Sequence, residues 1–270
     1  MTDMWDDLLA CLDLRPIDTG TAEDRVYEGD NQHLEYHRLF GGQILGQFIQ
    51  AARLSCPGKI IKSIHTIFAR EGHDDQPVRY QVTRHHEGRS FAALTVVATQ
   101  GTKLIATASV SMHVPEGGPE HQNTEEVPPV LGTRYRKPIS LIPWEIRTAD
   151  DLDATDIGPA DYRMWMRTPA VAAELGTALA AYATDLTLIG TALRPIEGIS
   201  QGGNGTQFLS AVTSHTLWFH RPLRTDDWLL LRQHSPILAN GRCYGRGDML
   251  TEDGALVASY AQEALVRIDR

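Results

Sequence analysis

Residues 213–221 read TSHTLWFHR, and their sequence is similar to that of an earlier stretch, residues 63–70, which reads SIHTIFAR. Both stretches place His-Thr shortly before a Phe, and an Arg follows two residues after that Phe. The offset between matching residues is 150 at the His and 151 at the Phe and Arg. A small drift of this kind indicates two related segments that differ by short insertions.

The sequence similarity continues downstream of both stretches. Gly88-Arg89-Ser90-Phe91 matches Gly241-Arg242-Cys243-Tyr244 at an offset of 153, and Gly101 matches Gly254 at the same offset. A period of about 150 residues is far longer than a solenoid repeat, so it indicates a duplicated domain. The predicted organisation has three parts: an N-terminal unit over 1–114, a linker over 115–160 and a C-terminal unit over 161–270.

The composition of the 270 residues is that of a globular protein with a sizeable core, with 42% hydrophobic and 22% charged residues. The net charge of −9 and the lack of a basic run argue against nucleic acid as a partner. A small ligand that carries phosphates needs only a local basic patch, so it is not excluded. No run of about 18 apolar residues occurs, and we expect no membrane span.

The cysteines and the N-terminal sequence indicate the cellular compartment in which the protein works. Cys11, Cys56 and Cys243 are too few and too scattered for a disulfide framework or a metal cluster, so we expect a reducing compartment and no metal. The N-terminal stretch MTDMWDDLLACLDL is acidic and lacks the basic start of a signal peptide. A cytoplasmic protein is the predicted outcome.

Hydrophobic periodicity gives the same order of elements in both halves. The first half shows a short helix over 4–14, a strand, a turn and more strand over 25–36, and an apolar helix over 44–54 that Pro57-Gly58 ends. Strands then fill 60–114. The second half repeats this plan with a strand, one long helix, a glycine-rich loop and four strands, predicted over 162–167, 170–192, 194–207, 210–220, 228–236, 242–250 and 256–267.

Familiar catalytic signatures such as GxSxG, HExxH and the P-loop are missing, so single residues are the candidates. Gly41-Gly42-Gln43 at a helix start would let a ligand approach backbone N–H groups, or would serve close packing of helix on sheet. Asp185 interrupts an Ala- and Leu-rich helix and is either functional or surface-facing. Gln262 in the last strand is either a water-orienting amide or a hydrogen-bonded core amide.

Histidines and arginines complete the set of candidates. His65 and His215 lack further metal ligands at useful spacing, and we expect both to be buried, hydrogen-bonded residues that brace the sheet. The arginines near strand ends would either bind phosphates or form a solvated rim. They are Arg70, Arg89, Arg221, Arg224 and Arg242.

At the level of motifs the chain resembles acyl-CoA thioesterase II, the TesB-type family. The resemblance implies an α+β double-hotdog fold, in which two tandem hotdog units each wrap a curved antiparallel sheet around a long central helix. The motifs that carry it run in order along nearly the whole chain. They are Phe40-Gly41-Gly42-Gln43 with Gly46-Gln47, Ser63-Ile64-His65 with Phe68 and Arg70, Gly88-Arg89-Ser90-Phe91, Glu120-His121-Gln122, Tyr182-Ala183-Thr184-Asp185-Leu186, Trp218-Phe219-His220-Arg221-Pro222 and Gln262-Glu263.

The resemblance also implies a reaction, the hydrolysis of acyl-CoA to a free acid and CoA without metal, cofactor or covalent intermediate. Asp185 and Gln262 match the family residues that hold and activate the attacking water. The resemblance further implies that acyl-CoA is the partner, and that residues at the helix start and residues near the CoA phosphates bind it. These residues are Gly41, Gly42, Gln43, His65 and Arg89. Because hotdog sheets leave edges that commonly pair, we also expect a homo-oligomer.

One position departs from the family pattern. Where the family has a Ser or Thr that helps to hold the water, this chain has Val212, and where an Asp follows it has Ser214. Strand alternation places Ser214 on the same face as Val212, whereas a bulge in the strand would bring in Thr213 or Ser210 instead. The catalytic hydroxyl is therefore expected from Ser214 or Thr213.

Two other functions remain open beside hydrolysis. A non-catalytic protein that binds acyl-CoA would explain Val212, because binding does not need the hydroxyl. A hotdog hydratase acting on 2-enoyl-CoA needs an Asp/His pair within one segment, and no such pair lies beside Asp185 in the sequence.

Overall fold

The computed structural model describes residues 3–20, 25–34 and 38–268. Packing divides the chain into two compact units. Unit 1 contains the chain up to His121 together with Thr177–Tyr182, and unit 2 contains Gln122–Gly176 and the chain from Ala183 onward. The boundaries 1–114, 115–160 and 161–270 stay a prediction. In the described part of the chain, no helix combines the length and the apolar character needed to cross a membrane.

Unit 1 is an antiparallel sheet packed against one helix. The sheet order is β1-β2-β4-β5-β6-β3. Helix α2 contacts five of these strands and is buried over most of its length, as its apolar periodicity predicts. The element bounds are α1 Met4–Cys11, β1 Arg15–Ile17, β2 Arg25–Gly29, α2 Gly41–Ser55, β3 Ile60–Phe68, β4 Val78–Glu87, β5 Phe91–Gln100 and β6 Lys103–His113.

These bounds confirm the two helices and the strands over 60–114 that were predicted for the first half. In the stretch 25–36 the first strand is confirmed as β2, residues 30–34 form no further strand, and positions 35 and 36 lie outside the described residues. Strands β3 and β4 follow each other in the chain but are not neighbours, because β3 pairs with β6.

Unit 2 repeats this plan. Its sheet order is β9-β12-β11-β10-β8-β7, and replacing each strand by its counterpart reproduces the order of unit 1. The elements of this half of the chain are β7 Glu145–Arg147, β8 Asp161–Arg167, α3 Gly176–Thr184, α4 Leu188–Leu193, β9 Phe208–Phe219, β10 Leu229–Ala239, β11 Arg242–Thr251 and β12 Leu256–Ile268. Most of α3, Thr177–Tyr182, belongs to unit 1. The five strands predicted for this half are therefore confirmed.

Two bulges occupy corresponding places in the two sheets. Lys62 interrupts the β3–β6 register as Thr213 interrupts the β9–β12 register, an offset of 151. Ile105 interrupts β5–β6 as Val257 interrupts β11–β12, an offset of 152. In each unit the carbonyl of that second bulge residue accepts two successive backbone N–H groups. Shared bulges support the duplication, since bulges are features that related domains retain.

The single long helix predicted over 170–192 is wrong. Helix α3 ends at Thr184, a bend covers 185–187, and the shorter helix α4 begins at Leu188. The buried hydroxyl of Thr187 donates to Oε1 of Gln233 at 2.9 Å. Tertiary hydrogen bonding thus overrides the helix propensity of the Ala- and Leu-rich sequence.

Within unit 1, helix α2 approaches the backbone of α3 closely at two glycines one turn apart. A Cβ atom on Gly42 would lie 2.5 Å from the carbonyl oxygen of Tyr182, and one on Gly46 would lie 3.3 Å from that of Ala178. The pairs advance in opposite directions along the two helices, so these helices are antiparallel. Small residues at such contacts let backbones come together.

We predict that Gly42→Ala lowers the free energy of unfolding by about 2 kcal/mol, because the new methyl group meets a backbone oxygen that cannot swing aside. Gly46→Ala should change it by less than about 1 kcal/mol, since its nearest neighbour is the flexible Leu12 side chain and alanine favours the helix. Urea unfolding measures both. Gly118→Ala, with no atom within 4 Å of the added Cβ, is the control. A Gly42→Ala protein as stable as the native chain would contradict the tight contact.

Candidate functional site

Asp185 directly follows the last residue of α3, where the helix breaks. Its side chain is only 5% exposed, so the alternative of a surface-facing carboxylate is ruled out. Oδ1 of Asp185 lies 3.9 Å from Nδ1 of His215, which is too long for a hydrogen bond. A buried carboxylate is therefore held beside a buried imidazole.

His215 and Gln262 form a directly opposed cross-strand pair between β9 and β12. Nδ1 of His215 lies 2.8 Å from Oε1 of Gln262, and Nε2 lies 3.0 Å from the hydroxyl of Thr184. All three side chains are buried. In the described part of the chain, Nε2 of Gln262 is buried and has no hydrogen-bond partner.

The surroundings of His215 favour its neutral form. Burial lowers the pKa of His215 to about 4, and the hydrogen bond to Gln262 only partly opposes this shift. The ring stacks on Tyr260, with centroids 6.1 Å apart and planes 13° from parallel. Burial also raises the pKa of Tyr260, so that phenol stays protonated. The imidazole is thus held in one place and without charge at neutral pH.

A buried polar network supports the site from the side of β10. Gln233 accepts hydrogen bonds from the hydroxyls of Thr187 and Thr191 and donates to the hydroxyl of Tyr260 at 2.9 Å. Gly247 is required here, because a Cβ atom at that position would lie 2.4 Å from the Tyr260 ring. These bonds connect the start of α4 to the residue that stacks on His215.

The bulge at Thr213 decides where the candidate hydroxyls lie. Ser214 pairs with Glu263, whereas Val212 pairs with Ala264, so Thr213 is the extra residue. The Thr213 hydroxyl donates to the backbone oxygen of Glu263 at 3.0 Å. Val212 packs against an apolar cluster that includes Ala264.

The prediction that Ser214 shares a strand face with Val212 is wrong, because the bulge shifts the alternation between them. Ser214 lies on the face of its partner Glu263, opposite to His215 and Gln262. The hydroxyl that contacts His215 belongs instead to Thr184, which the sequence analysis missed. The signal available in the sequence was the position of Thr184, immediately before Asp185.

The predicted residues at the helix start have local roles in unit 1. Gly41 begins α2, and Gly42 provides the close contact with α3. The amide of Gln43 accepts from the backbone N–H of Gln32 at 3.0 Å and donates to Asn31 at 2.9 Å, which fastens that segment to the helix. The close packing of α2 against α3 thus explains why position 42 is a glycine. A role of these residues in substrate binding stays a prediction.

His65 and Arg89 are both exposed. The expectation of a buried His65 is wrong, whereas His215 is buried as expected. The reason is the position of the bulge, which precedes His65 by three residues and His215 by two, so that alternation turns the two histidines to opposite faces. Arg89 lies in the β4–β5 hairpin. Contact of His65 or Arg89 with CoA stays a prediction.

Three of the five arginines near strand ends have protein partners. Arg221 donates to the side chain of Gln122 at 3.0 Å, Arg224 pairs with Asp226, and Arg242 lies 3.6 Å from Glu263. These contacts fit a rim of surface ion pairs.

A cavity of about 440 Å³ lies elsewhere in unit 2, beside β7 and the end of β8. Its polar lining includes Glu145, which forms ion pairs with three arginines that hold the pKa of its carboxyl at about 2. None of the residues around Asp185 lines this cavity. Over the described residues, no group of three or more His, Cys, Asp or Glu side chains is arranged to hold a metal ion.

Comparison with known proteins gives one consistent family. Residues 33–113 match the family model of the acyl-CoA thioesterase N-terminal domain, and residues 111–266 match that of the acyl-CoA thioesterase C-terminal domain. The chain is 31% identical to acyl-CoA thioesterase 2 of Haemophilus influenzae over 99% of both chains.

Two solved structures are similar over nearly the whole chain. One is acyl-CoA thioesterase II TesB2 from Mycobacterium marinum, with a TM-score of 0.77, 28% identity and 97% of each chain covered. Another, a protein with the hotdog fold from Alicyclobacillus acidocaldarius, has a TM-score of 0.75, 16% identity, and 97% and 98% coverage. The predicted double-hotdog fold is confirmed, and the chain belongs to the acyl-CoA thioesterase family, TesB type.

Proposed function

We propose that this chain hydrolyses acyl-CoA to a free acid and CoA, with the attacking water held between Asp185 and Gln262. The observation that carries the proposal is that both side chains converge on one atom. Oδ1 of Asp185 and Oε1 of Gln262 lie 3.9 Å and 2.8 Å from Nδ1 of His215. A base and an amide that close to each other can share one water molecule.

The proposed reaction uses Asp185 as general base. The carboxylate accepts a proton from water as the water oxygen attacks the thioester carbon and the carbonyl oxygen becomes negative. The C–S bond then breaks, and the leaving thiolate takes the proton back from Asp185. N–H donors must stabilise the negative oxygen, and the amide of Gln262 is the proposed donor.

Thr213 and Ser214 have a smaller part in this proposal than the sequence suggested. Thr213 is hydrogen-bonded to Glu263 at the bulge, and Ser214 lies on the face opposite to Gln262. We therefore propose that Thr184, rather than either of them, supplies the hydroxyl that supports the site, through its contact with His215.

Two broader features belong to the same proposal. The chain works in the cytoplasm, which fits three free cysteines that are all buried. It works as a homo-oligomer, because edge strands of an antiparallel sheet commonly pair with a second copy. Sedimentation at several protein concentrations tests the oligomer.

The first prediction about the reaction concerns Asp185→Asn. Removing the base should lower kcat for release of free thiol from acyl-CoA at least about 100-fold, because an amide cannot accept the proton from water. A panel of short, medium and long acyl-CoAs gives the measurement. The matched control is Asp156→Asn, an exposed aspartate, which should retain native kcat.

Either of two results would count against the hydrolytic proposal. If the native chain binds acyl-CoA but releases no thiol from any ester, the chain is a non-catalytic binder. If Asp185→Asn retains its turnover, the base lies elsewhere.

The second prediction concerns Val212→Thr, which restores the family hydroxyl. Val212 lies on the same face of β9 as His215, but the side chains packed around it are apolar and would not orient a new hydroxyl, so kcat should change by less than about threefold. Burying a hydroxyl there should lower the free energy of unfolding by about 1 kcal/mol. Thiol release and urea unfolding measure the two effects. A tenfold gain in kcat would instead show that the missing hydroxyl limits this chain.

The third prediction concerns pH. The folded pKa of His215, about 4, lies below the unfolded value of about 6.5. Between these values the unfolded chain binds more protons, so stability falls as the pH is lowered from 7 towards 4. Taking the pH from 7 to 5 should cost the native chain about 2 kcal/mol through His215 alone.

Urea unfolding of the native chain and of His215→Asn at both pH values isolates this contribution. The variant should lose about 2 kcal/mol less than the native chain, since it has no imidazole to protonate. Asp185 and Tyr260 are the titratable groups beside the ring, and both remain in the variant. Equal losses in the two proteins would contradict a buried neutral His215.

A further inference from the structure

We propose that His215 is a positioning residue that holds the amide of Gln262 by its oxygen, so that the N–H₂ group is the end that serves the reacting atoms. This inference rests on the proposed function and adds to it the orientation of the amide. In this arrangement Gln262 acts on the substrate or on water as a hydrogen-bond donor, while its oxygen is bound by His215.

The contacts of the imidazole carry this assignment. Its two nitrogens are both occupied, Nδ1 by Oε1 of Gln262 at 2.8 Å and Nε2 by the hydroxyl of Thr184 at 3.0 Å. An amide oxygen only accepts, so Nδ1 must carry the proton, and the remaining Nε2 of the neutral ring must accept from Thr184. The ring cannot turn, because it is fully buried and stacked on Tyr260.

The free end of the amide provides a second, independent observation. Nε2 of Gln262 is buried and, among the described residues, lacks a hydrogen-bond partner. A buried donor without a partner costs about 1–3 kcal/mol, and such groups persist where a ligand or water completes them. The developing negative charge on a thioester oxygen is the kind of partner that such a donor would stabilise.

The orientation of the Gln262 amide gives Gln262 and Asp185 different roles in the reaction. Oε1 of Gln262 already accepts from His215, and an amide oxygen is too weak a base to take a proton from the attacking water. The proton of the water must therefore go to Asp185, which approaches the same Nδ1 to 3.9 Å. Gln262 contributes hydrogen-bond donation alone.

The first copy of the domain does not have a His–Gln pair at the corresponding described positions. The bulge offsets of 151 and 152 make Ile64 and Val110 the structural counterparts of His215 and Gln262. Ile64 and Val110 pair with each other and are both buried. An apolar pair cannot orient an amide, so of these two pairs only the one in the second copy can do so.

The decisive experiment reads the tautomer of His215 in the native, full-length protein without substrate. Nitrogen-15 NMR of histidine-labelled protein at pH 7 should show a neutral His215 with the proton on Nδ1, and His215→Asn identifies the resonance. A proton on Nε2 would overturn the proposal, because Gln262 would then have to donate to Nδ1 and present its oxygen to the site.

Paired substitutions then test whether the tautomer matters for turnover. The amide nitrogen of Asn occupies roughly the place of Nδ1, so His215→Asn retains a donor to Gln262, whereas His215→Gln retains a partner for Thr184 only. We expect kcat to fall about tenfold in His215→Asn and at least about 100-fold in His215→Gln, with little change in binding of a non-hydrolysable acyl-CoA thioether. Equal losses in kcat would overturn the positioning role.

Thr225→Val is the control for a merely structural effect. It removes a buried hydroxyl that accepts a hydrogen bond from Thr168 and belongs neither to the Thr184–His215–Gln262 chain nor to the Gln233 network. It should lower stability yet keep kcat within about twofold of native. A 100-fold loss here would show that general loosening, and not the direction of the amide, controls the rate.

The NMR result does not depend on the reaction mechanism. If Asp185→Asn remains active while His215 carries its proton on Nδ1, the base was assigned wrongly but the orientation of Gln262 stands. If Asp185→Asn is inactive while His215 carries its proton on Nε2, the proposed base stands and the orientation of Gln262 is wrong.

Discussion

The backbone of α2 meets the backbone of α3 at Gly42, where even a methyl group would collide with the carbonyl oxygen of Tyr182. Backbone groups in such a contact are rigid, since neither partner can move a side chain away to relieve strain. Tyr182 lies three residues before Asp185, so little freedom remains between the contact and the end of the helix. Main-chain packing thus fixes α3 close to the residue at which the helix ends.

The end of α3 is an unfavourable place for a carboxylate. The last carbonyl groups of a helix carry partial negative charge, and burial removes the water that would solvate an ionised Asp185. The structure surrounds this position with polar groups that are themselves fixed, namely the Thr184–His215–Gln262 chain and the Gln233 network. Preorganised dipoles of this kind support a charge without having to reorient during the reaction. Buried polar groups therefore concentrate where the chemistry is proposed.

Sequence reasoning predicted the elements that depend on local periodicity. The duplication, helix α2 and the strands of both copies follow from hydrophobic spacing, which burial on one face imposes. It did not predict the break at Asp185, because an Ala- and Leu-rich segment favours helix and only the tertiary bond from Thr187 to Gln233 ends it. It also missed Thr184, whose importance depends on an imidazole 31 residues away.

The most informative failure concerns the histidines. His65 and His215 match in the sequence at an offset of 150, yet the bulges fix the structural offset of these strands at 151. A shift of one residue on a strand turns a side chain to the other face, so the two histidines cannot have equivalent roles. The position equivalent to His215 is Ile64, which faces Val110 in an apolar core. The first copy therefore keeps its helix continuous and its sheet interior apolar, whereas the second breaks its helix beside a polar pair. The break places Asp185 beside that polar pair, whereas a carboxylate at the matching place in the first copy would face an apolar pair.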